Sequence, residues 1–134
     1  MAEGTHLTLI LVTPERKVLE EPCDSVSLNA SEGYVTILPR HAPLIATLGI
    51  GVLRYQTGAR SSSLAIAGGF FEVSDDRVTV LADEAFAPSE IDAAAARREL
   101  EEGKAGLGSS TGAEQSRLRR LIARAEAKLA VVSS

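Results

Sequence analysis

The composition of the chain changes at Pro88, and this change constrains the fold more than any other feature of the sequence. All five prolines and all five aromatic residues lie in residues 1–88, whereas residues 89–134 contain ten alanines and no proline or aromatic residue. Aromatic residues favour strands and proline marks turns, while an alanine-rich charged segment favours helix. The order predicts a β domain over residues 1–88 and a helical unit over residues 89–134. The helical unit has too few large apolar side chains for a core of its own, so we expect it to pack on another surface.

Short runs of β-branched and apolar residues recur in the first region at a spacing of roughly ten residues. Turn signals rich in glycine, proline, serine and aspartate separate them. The pattern predicts an all-β sandwich or flattened barrel. The runs are residues 7–13, 25–30, 34–38, 52–57, 63–67, 70–73 and 78–81.

The second region predicts two helices that form a hairpin. Ser89, directly after Pro88, is suited to cap the first helix, and Gly103 is expected to end it. Residues 103–112 are rich in glycine and serine and predict a flexible turn, and a second helix is expected over residues 113–132. Apolar residues at a 3.6-residue period give that helix one narrow stripe. The stripe consists of Leu118, Leu121, Ile122, Ala125, Leu129 and Val132.

The charge of the chain is distributed unevenly. Residues 1–88 carry six Lys or Arg against eleven Asp or Glu, whereas residues 113–134 carry five against two. An acidic body with a basic terminal helix favours an acidic protein partner for the helix, and the body would repel nucleic acid. Alternatively, the basic residues form a solvated face that keeps the helix soluble. They form a stripe beside the apolar one: Arg117, Arg120, Arg124 and Lys128.

Cysteine and hydropathy limit the compartment and the cofactors. Cys23 is the only cysteine, so no intrachain disulfide or thiolate metal cluster can form, and a reducing compartment is expected. The apolar run at residues 7–12 is too short for a signal-peptide core or a membrane span. We therefore expect a soluble, cytoplasmic protein without a metal or cofactor.

Few residues suggest catalysis. His41 lies between two prolines in the segment 38–44, Leu-Pro-Arg-His-Ala-Pro-Leu, without the companions of a hydrolytic triad. This segment predicts a rigid exposed loop used for structure or recognition. The acidic pairs at 75–76 and 83–84 lack the ligand spacing of a calcium loop and predict solvated turn and strand ends. The glycines at 68–69 precede a strand rather than a helix, which favours a bulge or a close backbone contact over a phosphate loop.

Two functions are compatible with these patterns. One is a generic β-sandwich module that binds carbohydrate or peptide and carries a helical tail. A carbohydrate reader is expected to expose aromatic side chains, and this chain has no tryptophan and two tyrosines. The other is a small hydrolase that uses His41.

Four segments in order carry a family resemblance. They are residues 31–44 (Ser-Glu-Gly-Tyr-Val-Thr-Ile-Leu-Pro-Arg-His-Ala-Pro-Leu), 49–53 (Gly-Ile-Gly-Val-Leu), 68–73 (Gly-Gly-Phe-Phe-Glu-Val) and 78–83 (Val-Thr-Val-Leu-Ala-Asp). With Ile-Asp at 91–92 and the alanine-rich hairpin, the set spans the whole chain. It resembles the epsilon subunit of bacterial and chloroplast F-type ATP synthases.

The resemblance implies a flattened β-sandwich of about ten strands followed by an antiparallel helical hairpin. It also implies a non-catalytic rotor subunit of the central stalk, which couples proton-driven rotation to ATP synthesis and inhibits ATP hydrolysis through its C-terminal helices. The implied partners are the gamma subunit, the c subunits of the rotor ring and the beta subunits. Membrane contact would come only through the complex, at the cytoplasmic face of the bacterial membrane or the stromal face of the thylakoid.

The resemblance also assigns contact residues. The turn with Tyr34 and His41 corresponds to the rotor-ring contact, and Tyr34 replaces an acidic residue common there. The implied interface with the ring and gamma consists of Glu32, Tyr34, Arg40 and His41. The basic stripe corresponds to the surface that meets an acidic segment of the beta subunits, through Arg117, Arg120, Arg124 and Lys128.

Some family members bind ATP between the two helices through an Ile/Leu-Asp-x-x-Arg-Ala motif. Here residues 91–96 are Ile-Asp-Ala-Ala-Ala-Ala, with an arginine one turn later. Ala95 replaces the motif arginine and Lys128 stands where a second arginine is expected, and lysine cannot supply a bidentate fork for phosphate. We therefore expect this chain to bind ATP weakly or not at all. The corresponding positions are Ile91, Asp92, Arg98, Arg124 and Lys128.

Overall fold

The computed structural model describes residues 6–133, which form eight strands and two α-helices. The strands are β1 (Leu7–Val12), β2 (Lys17–Cys23), β3 (Ser25–Ala30), β4 (Gly33–Ile37), β5 (Leu44–Thr57), β6 (Arg60–Ser74), β7 (Arg77–Ala82) and β8 (Ala85–Phe86). A 3₁₀ turn at Pro88–Glu90 leads to helices α1 (Ala93–Leu107) and α2 (Gly112–Val132). The predicted sandwich followed by a helical hairpin is confirmed.

The strands form one sheet that folds over on itself. Their order is β2-β1-β7-β6-β5-β3-β4, with β8 paired to β6. Every pairing is antiparallel except that of β1 with β7. The backbone amide of Asp24, just after β2, donates to the carbonyl of Gln56 on β5 at 2.6 Å, although four steps of the sheet order separate these strands. This contact brings two distant parts of the sheet together as the layers of a sandwich.

The described residues form eight strands where about ten were expected, because β5 and β6 each run through both layers. They are 14 and 15 residues long and stay paired from Leu44 opposite Val73 to Thr57 opposite Arg60. The predicted runs 63–67 and 70–73 therefore belong to one strand. Gly69 lies where they join, with φ +121°, and a Cβ there would collide with the backbone of Leu81. The predicted close backbone contact at 68–69 is thus confirmed.

The predicted pattern missed β2, which lies at the edge of the sheet. Its side chains are mostly exposed and do not alternate between apolar and polar. Such a sequence gives no period-two signal, because only one side of the strand is paired and little of it is buried.

The core lies between the two layers and is apolar. Eighteen buried hydrophobic residues form one cluster, to which β1, β3, β5, β6 and β7 all contribute. Phe71 is its largest fully buried side chain. Burying one such side chain stabilises a fold by about 1.5–3 kcal/mol, so this cluster supplies most of the apolar stabilisation of the sandwich.

Two details of α1 differ from prediction. Asp92, not Ser89, caps the helix, because its carboxylate accepts the backbone amide of Ala95 at 3.1 Å. Gly103 does not end the helix, which continues to Leu107. A Cβ at position 103 would lie 2.8 Å from Ile122 Cγ1, so glycine allows α2 to approach closely. The turn between the helices is therefore residues 108–111, not 103–112.

Helix α2 connects the hairpin to the sandwich. It packs on α1 along one side and on β5 and β6 along another, whereas α1 makes no comparable contact with a described strand. Four buried residues, which we call the docking cluster, join it to the outer face of these strands: Val52, Ala65, Ala127 and Val131. The predicted single stripe is thus incomplete. Leu118 and Ala125 are buried as expected, but Ala127 and Val131 form a second buried face.

Neither α1 nor α2, the helices within residues 6–133, has the length and hydropathy that a membrane span requires.

Candidate functional site

The predicted ring and gamma contact is divided by strand β4. Glu32 lies exposed in the turn between β3 and β4, whereas Arg40 and His41 lie in the loop between β4 and β5. Five residues of strand separate the two turns, a span of about 17 Å. The structure therefore does not bring all four predicted residues into a single turn.

The second of these turns is rigid. Arg40 has φ 69°, and its backbone amide donates to the carboxylate of Asp76 at 2.5 Å. His41 Nδ1 lies 2.6 Å from the carbonyl oxygen of Ala42, and its backbone amide donates to the Leu38 carbonyl. With a proline on either side, the loop presents Arg40 and His41 in a fixed geometry.

Tyr34 lies within β4 rather than in a turn. Its hydroxyl donates to the carbonyl of Val52 at 2.8 Å, while 61% of the residue remains exposed. Val52 belongs to the docking cluster, so Tyr34 borders the surface on which α2 packs. Tyr34 therefore offers no charge where the resemblance leads us to expect an acidic residue, and its hydroxyl is already hydrogen-bonded within the sandwich.

Large apolar side chains are exposed on the outer face of β5, β6 and β7. Phe70 is paired with Leu81 across β6 and β7, and both are more than a third exposed. Ile45, on β5, is 71% exposed. Adjacent exposed apolar side chains on one sheet face mark a surface suited to another protein.

Arg124 is not free in this structure. Its Nε and Nη2 donate to the two carboxylate oxygens of Glu84 at 2.8 and 2.9 Å. The paired geometry is the strongest that an arginine and a carboxylate adopt. The hydrogen bond from Arg124 is the main cause that lowers the pKa of Glu84 below its ordinary value, and the same bond raises the pKa of Arg124.

Lys128 and two further residues complete this group. Glu99 of α1 lies 3.6 Å from both Arg124 Nη1 and Lys128 Nζ. The ring of Phe86, on β8, lies 5.0 Å from the Arg124 guanidinium carbon and 4.5 Å from Lys128 Nζ, within the range of cation–π attraction. We call these five residues the ionic cluster: Glu84, Phe86, Glu99, Arg124 and Lys128. They join the sandwich, α1 and α2 at one place.

The predicted basic stripe is therefore divided between two environments. Arg124 and Lys128 lie in the ionic cluster, whereas Arg117 and Arg120 are exposed beyond it. Arg117 pairs with Glu114 on the same helix at 2.7 Å, a contact that joins no other element. A cavity of about 280 Å³ lies between this part of α2 and the sandwich, beside Arg117, Arg120 and Asp83.

The positions of the nucleotide motif do not form a phosphate site here. Asp92 uses its carboxylate to cap α1, and Arg98 is exposed. The cations that would meet phosphate, Arg124 and Lys128, face the carboxylates of Glu84 and Glu99 instead. A phosphate group would have to displace these carboxylates before it could bind.

Sequence reasoning missed the acidic half of the ionic cluster. Glu84 was expected to be a solvated strand end, and Glu99 and Phe86 carried no signal. Glu84 and Arg124 lie 40 residues apart, so their contact depends on where α2 packs. Acidic residues near the end of the β region and basic residues on α2 could have suggested an ion pair, but not which residues form it.

Other polar residues give no metal site within the described part of the chain. Residues 6–133 hold no group of three or more His, Cys, Asp or Glu side chains placed to bind a metal ion. Cys23 is buried, and burial raises the pKa of its thiol to about 11, so it stays protonated and unreactive.

The sandwich and the hairpin agree with the known proteins that this chain resembles. Residues 6–88 match the family model of the ATP synthase delta/epsilon chain β-sandwich domain. The ATP synthase epsilon chain of Solibacter usitatus is 40% identical over 125 residues, which cover 92% of this chain and 93% of the relative. That of Desulfitobacterium hafniense strain Y51 is 38% identical over 122 residues, which cover 91% and 92%.

A solved structure has the same fold. A chain in the Euglena gracilis mitochondrial ATP synthase OSCP/F1/c-ring assembly superposes with a TM-score of 0.84 at 24% identity, over 100% of this chain and 87% of that one. The fold is thus that of a delta/epsilon-type ATP synthase subunit. The chain belongs to the ATP synthase epsilon-chain family.

Proposed function

We propose that this chain is a non-catalytic subunit of the rotor in an F-type ATP synthase, which couples rotation to ATP synthesis and restrains ATP hydrolysis through its helices. Residues 1–88 would bind the stalk and the ring, and residues 89–134 would regulate. The outer ends of these two units, residues 1–5 and 134, lie outside the described residues. The complex would work at the cytoplasmic face of a bacterial membrane, and no nucleotide or metal would bind this chain.

The observation that carries this proposal is the small contact between the hairpin and the sandwich. The docking cluster has four buried residues, of which Ala65 and Ala127 offer little apolar surface, and the partly buried Ile50, Phe86 and Ile91 pack against it. Burial of its two valines contributes on the order of 3–6 kcal/mol. A docked and an undocked hairpin can therefore differ by only a few kcal/mol, and a partner that prefers one state shifts the population.

The exposed surfaces support the proposed partners. The rigid loop with Arg40 and His41 and the turn with Glu32 would meet the rotor ring. The apolar face with Phe70 and Leu81 suits a protein such as gamma. The cations of α2 would meet the acidic segment of the beta subunits once the hairpin leaves the sandwich.

Truncation and charge reversal test the regulatory role in the assembled complex. We expect a chain that ends after Pro88 to retain its sandwich and bind gamma, and its complex to hydrolyse ATP faster than wild type. Reversal of all four cations of the basic stripe to Glu should have the same effect. The difference from wild type should shrink at high salt, because salt screens the attraction between these cations and the acidic segment of the beta subunits. Arg60→Glu, at the exposed start of β6, is the control for a reversed charge on the sandwich and should leave hydrolysis unchanged. Equal hydrolysis rates in all complexes at low salt would contradict the regulatory role.

The ring contact is tested separately. His41→Ala and Glu32→Ala should each weaken the coupling of ATP hydrolysis to proton pumping, because they lie in the two exposed turns. Neither change removes a buried apolar side chain, so the urea midpoint of the isolated chain should stay the same. Tyr34→Ala should have the smaller effect on coupling, since its hydroxyl is bonded to Val52. Normal pumping in all three variants would refute the interface.

A further inference from the structure

A cavity of about 850 Å³ opens between β2, the first half of β6 and the end of α2, and we propose that it binds a small amphipathic carboxylate. The Arg54 guanidinium holds the carboxylate, and apolar side chains of β2 and α2 hold the body of the ligand. The site is separate from the surfaces of the proposed function, because neither the ring contact nor the basic stripe contributes a residue to this cavity.

The cavity exists because one edge of β6 lacks a strand partner over its first residues. On that edge β6 pairs with β8 at Ala65 and Ile66 and with β7 from Gly69 onward. After β8 the chain turns into the 3₁₀ turn at Pro88, so within residues 6–133 no strand continues along residues 60–64. Strand β2, at one end of the sheet order, lies across the gap, and residues of both strands line the cavity.

Polar contacts tie the two sides of this gap together near both of its ends. Arg16 Nη2 donates to Glu90 Oε2 at 2.6 Å and joins the start of β2 to the 3₁₀ turn. Beyond the other end of β2, the backbone amide of Gly58 donates to the Asp24 carboxylate at 2.6 Å. An extended peptide would have to displace these contacts to add a strand here, whereas a small molecule would not. The volume of the cavity is also within the usual range for small-molecule sites.

The charges around the cavity favour a ligand with a single negative charge. Two arginines and two glutamates line it: Arg16, Arg54, Glu21 and Glu90. Arg16 pairs with Glu90, and Glu21 accepts the Tyr55 hydroxyl at 3.4 Å. Within residues 6–133 no partner engages the Arg54 guanidinium, so Arg54 is the cation that a ligand can use. A carboxylate matches one arginine, whereas the second negative charge of a phosphate monoester would meet the two glutamates.

Apolar side chains give the cavity its amphipathic character. Val52 and Arg54 lie two residues apart on β5, so their side chains share the face on which α2 packs. The partly buried Val132, at the end of α2, lines the same cavity, and Val18 and Leu19 of β2 add apolar surface. A ligand whose carboxylate lies on Arg54 therefore buries an apolar body against these side chains. The apolar contacts supply affinity, and Arg54 selects for charge.

Titration of the full-length chain with decanoate, followed by the NMR shifts of backbone amides, tests the site. Decan-1-ol has the same carbon chain without the charge. We expect decanoate to saturate one site about tenfold more tightly than decan-1-ol, because only decanoate can bond to Arg54. The shifts should centre on residues 61–63 and 131–132. Equal affinity for the two probes, the absence of saturable binding, or shifts centred on Phe70 and Leu81 would overturn the proposal.

Two pairs of variants test the roles of the charge and of the apolar wall. Arg54→Gln should weaken decanoate binding about tenfold and leave decan-1-ol binding unchanged, which also shows that the cavity is intact. Arg60→Gln, at an exposed arginine of the same strand pair outside the cavity, should change neither. Val132→Thr keeps the branched shape and should weaken both probes about threefold, whereas Val12→Thr, at a half-buried valine of β1 outside the cavity, should weaken neither. Equal decanoate affinity in wild type and Arg54→Gln, or the same loss in a variant and its control, would overturn the proposal.

Discussion

The interior of the sandwich and the surface that holds the hairpin are built from different contacts. Eighteen buried hydrophobic residues fill the sandwich, with Phe71, Leu28 and Val80 fully buried. The hairpin docks through four buried residues, of which Ala65 and Ala127 are small, together with an ionic cluster. Apolar burial changes little with salt or pH, whereas partly exposed ion pairs are screened and titrate. The interior of the sandwich should therefore be insensitive to salt and pH, whereas the contact that holds the hairpin should depend on both.

Under the proposed function, this difference would let one chain bind permanently and regulate reversibly. A subunit that must stay on a rotating stalk needs an interior that does not open. A regulatory element needs two states of similar free energy, which a small, partly polar contact provides. The predictions below test this contrast, beginning with the largest effect.

Removal of a large side chain from each region should have very different effects. Phe71→Ala leaves a cavity at the centre of the sandwich and should lower the free energy of unfolding by about 3–5 kcal/mol. Val131→Ala, in the docking cluster, should make the free energy of docking of the hairpin less favourable by about 1–2 kcal/mol. The sandwich should stay folded. Urea denaturation followed through tyrosine fluorescence measures the first effect, and hydrogen exchange of α2 measures the second.

Val132→Ala is the control for the helix, because Val132 lies next to Val131 but is only partly buried and outside the docking cluster. It should change docking less than Val131→Ala does. A large loss of sandwich stability in Val131→Ala would mean that the two regions form one cooperative unit, which would contradict the contrast.

The same contrast explains what the sequence could predict. Strand β3 agrees with the predicted run 25–30, and α2 begins within one residue of its predicted start. The alternation in β3 matches its burial, whereas the apolar stripe of α2 matches its burial only in part. The wrong end of α1 has another cause, since Gly103 is a helix breaker by propensity but packs closely on Ile122. Tertiary packing decided that position, and propensity could not show it.

The candidate site was harder to predict than the fold. The family resemblance supplied Arg124 and Lys128, but neither Glu84 nor Phe86 could be assigned to them before α2 was placed on β5 and β6. The ionic cluster combines β8, the loop between β7 and β8, and two helices. Contacts of this kind depend on docking geometry, which no local pattern records.

Glycine substitutions within α1 and just after its end sharpen the comparison within the hairpin itself. Gly108→Ala meets no atom within 4 Å of its Cβ and should stabilise the hairpin by about 0.5–1 kcal/mol, since alanine loses less backbone entropy. Gly103→Ala gains the same entropy but brings its Cβ to 2.8 Å from Ile122 Cγ1, so it should give no gain or a loss. Thermal unfolding followed by far-ultraviolet circular dichroism compares the two. An equal gain in both variants would show that the seam between α1 and α2 is loose.

The smallest effect concerns pH, and it separates the ionic cluster from the apolar core. In the docked chain the hydrogen bond from Arg124 lowers the pKa of Glu84 below 4.5, with smaller contributions from the charges of Arg124 and Lys128. A carboxyl whose pKa is depressed in the docked state stabilises docking fully above its undocked pKa. That contribution is lost as the pH falls below 4.5 and through the depressed pKa. Acidification from pH 6 should therefore loosen the hairpin while the sandwich stays folded.

Hydrogen exchange of α2 at a series of pH values, corrected for the intrinsic rate, measures this dependence. Glu84→Gln should abolish most of it, because glutamine does not titrate. Glu114→Gln should leave it unchanged: the pKa of Glu114 is also lowered, by its hydrogen bond to Arg117, but that pair lies within α2 and is present whether or not the hairpin is docked. If wild type and Glu84→Gln loosened alike, acid would act on another group, and the ionic cluster would not be the part of this chain that responds.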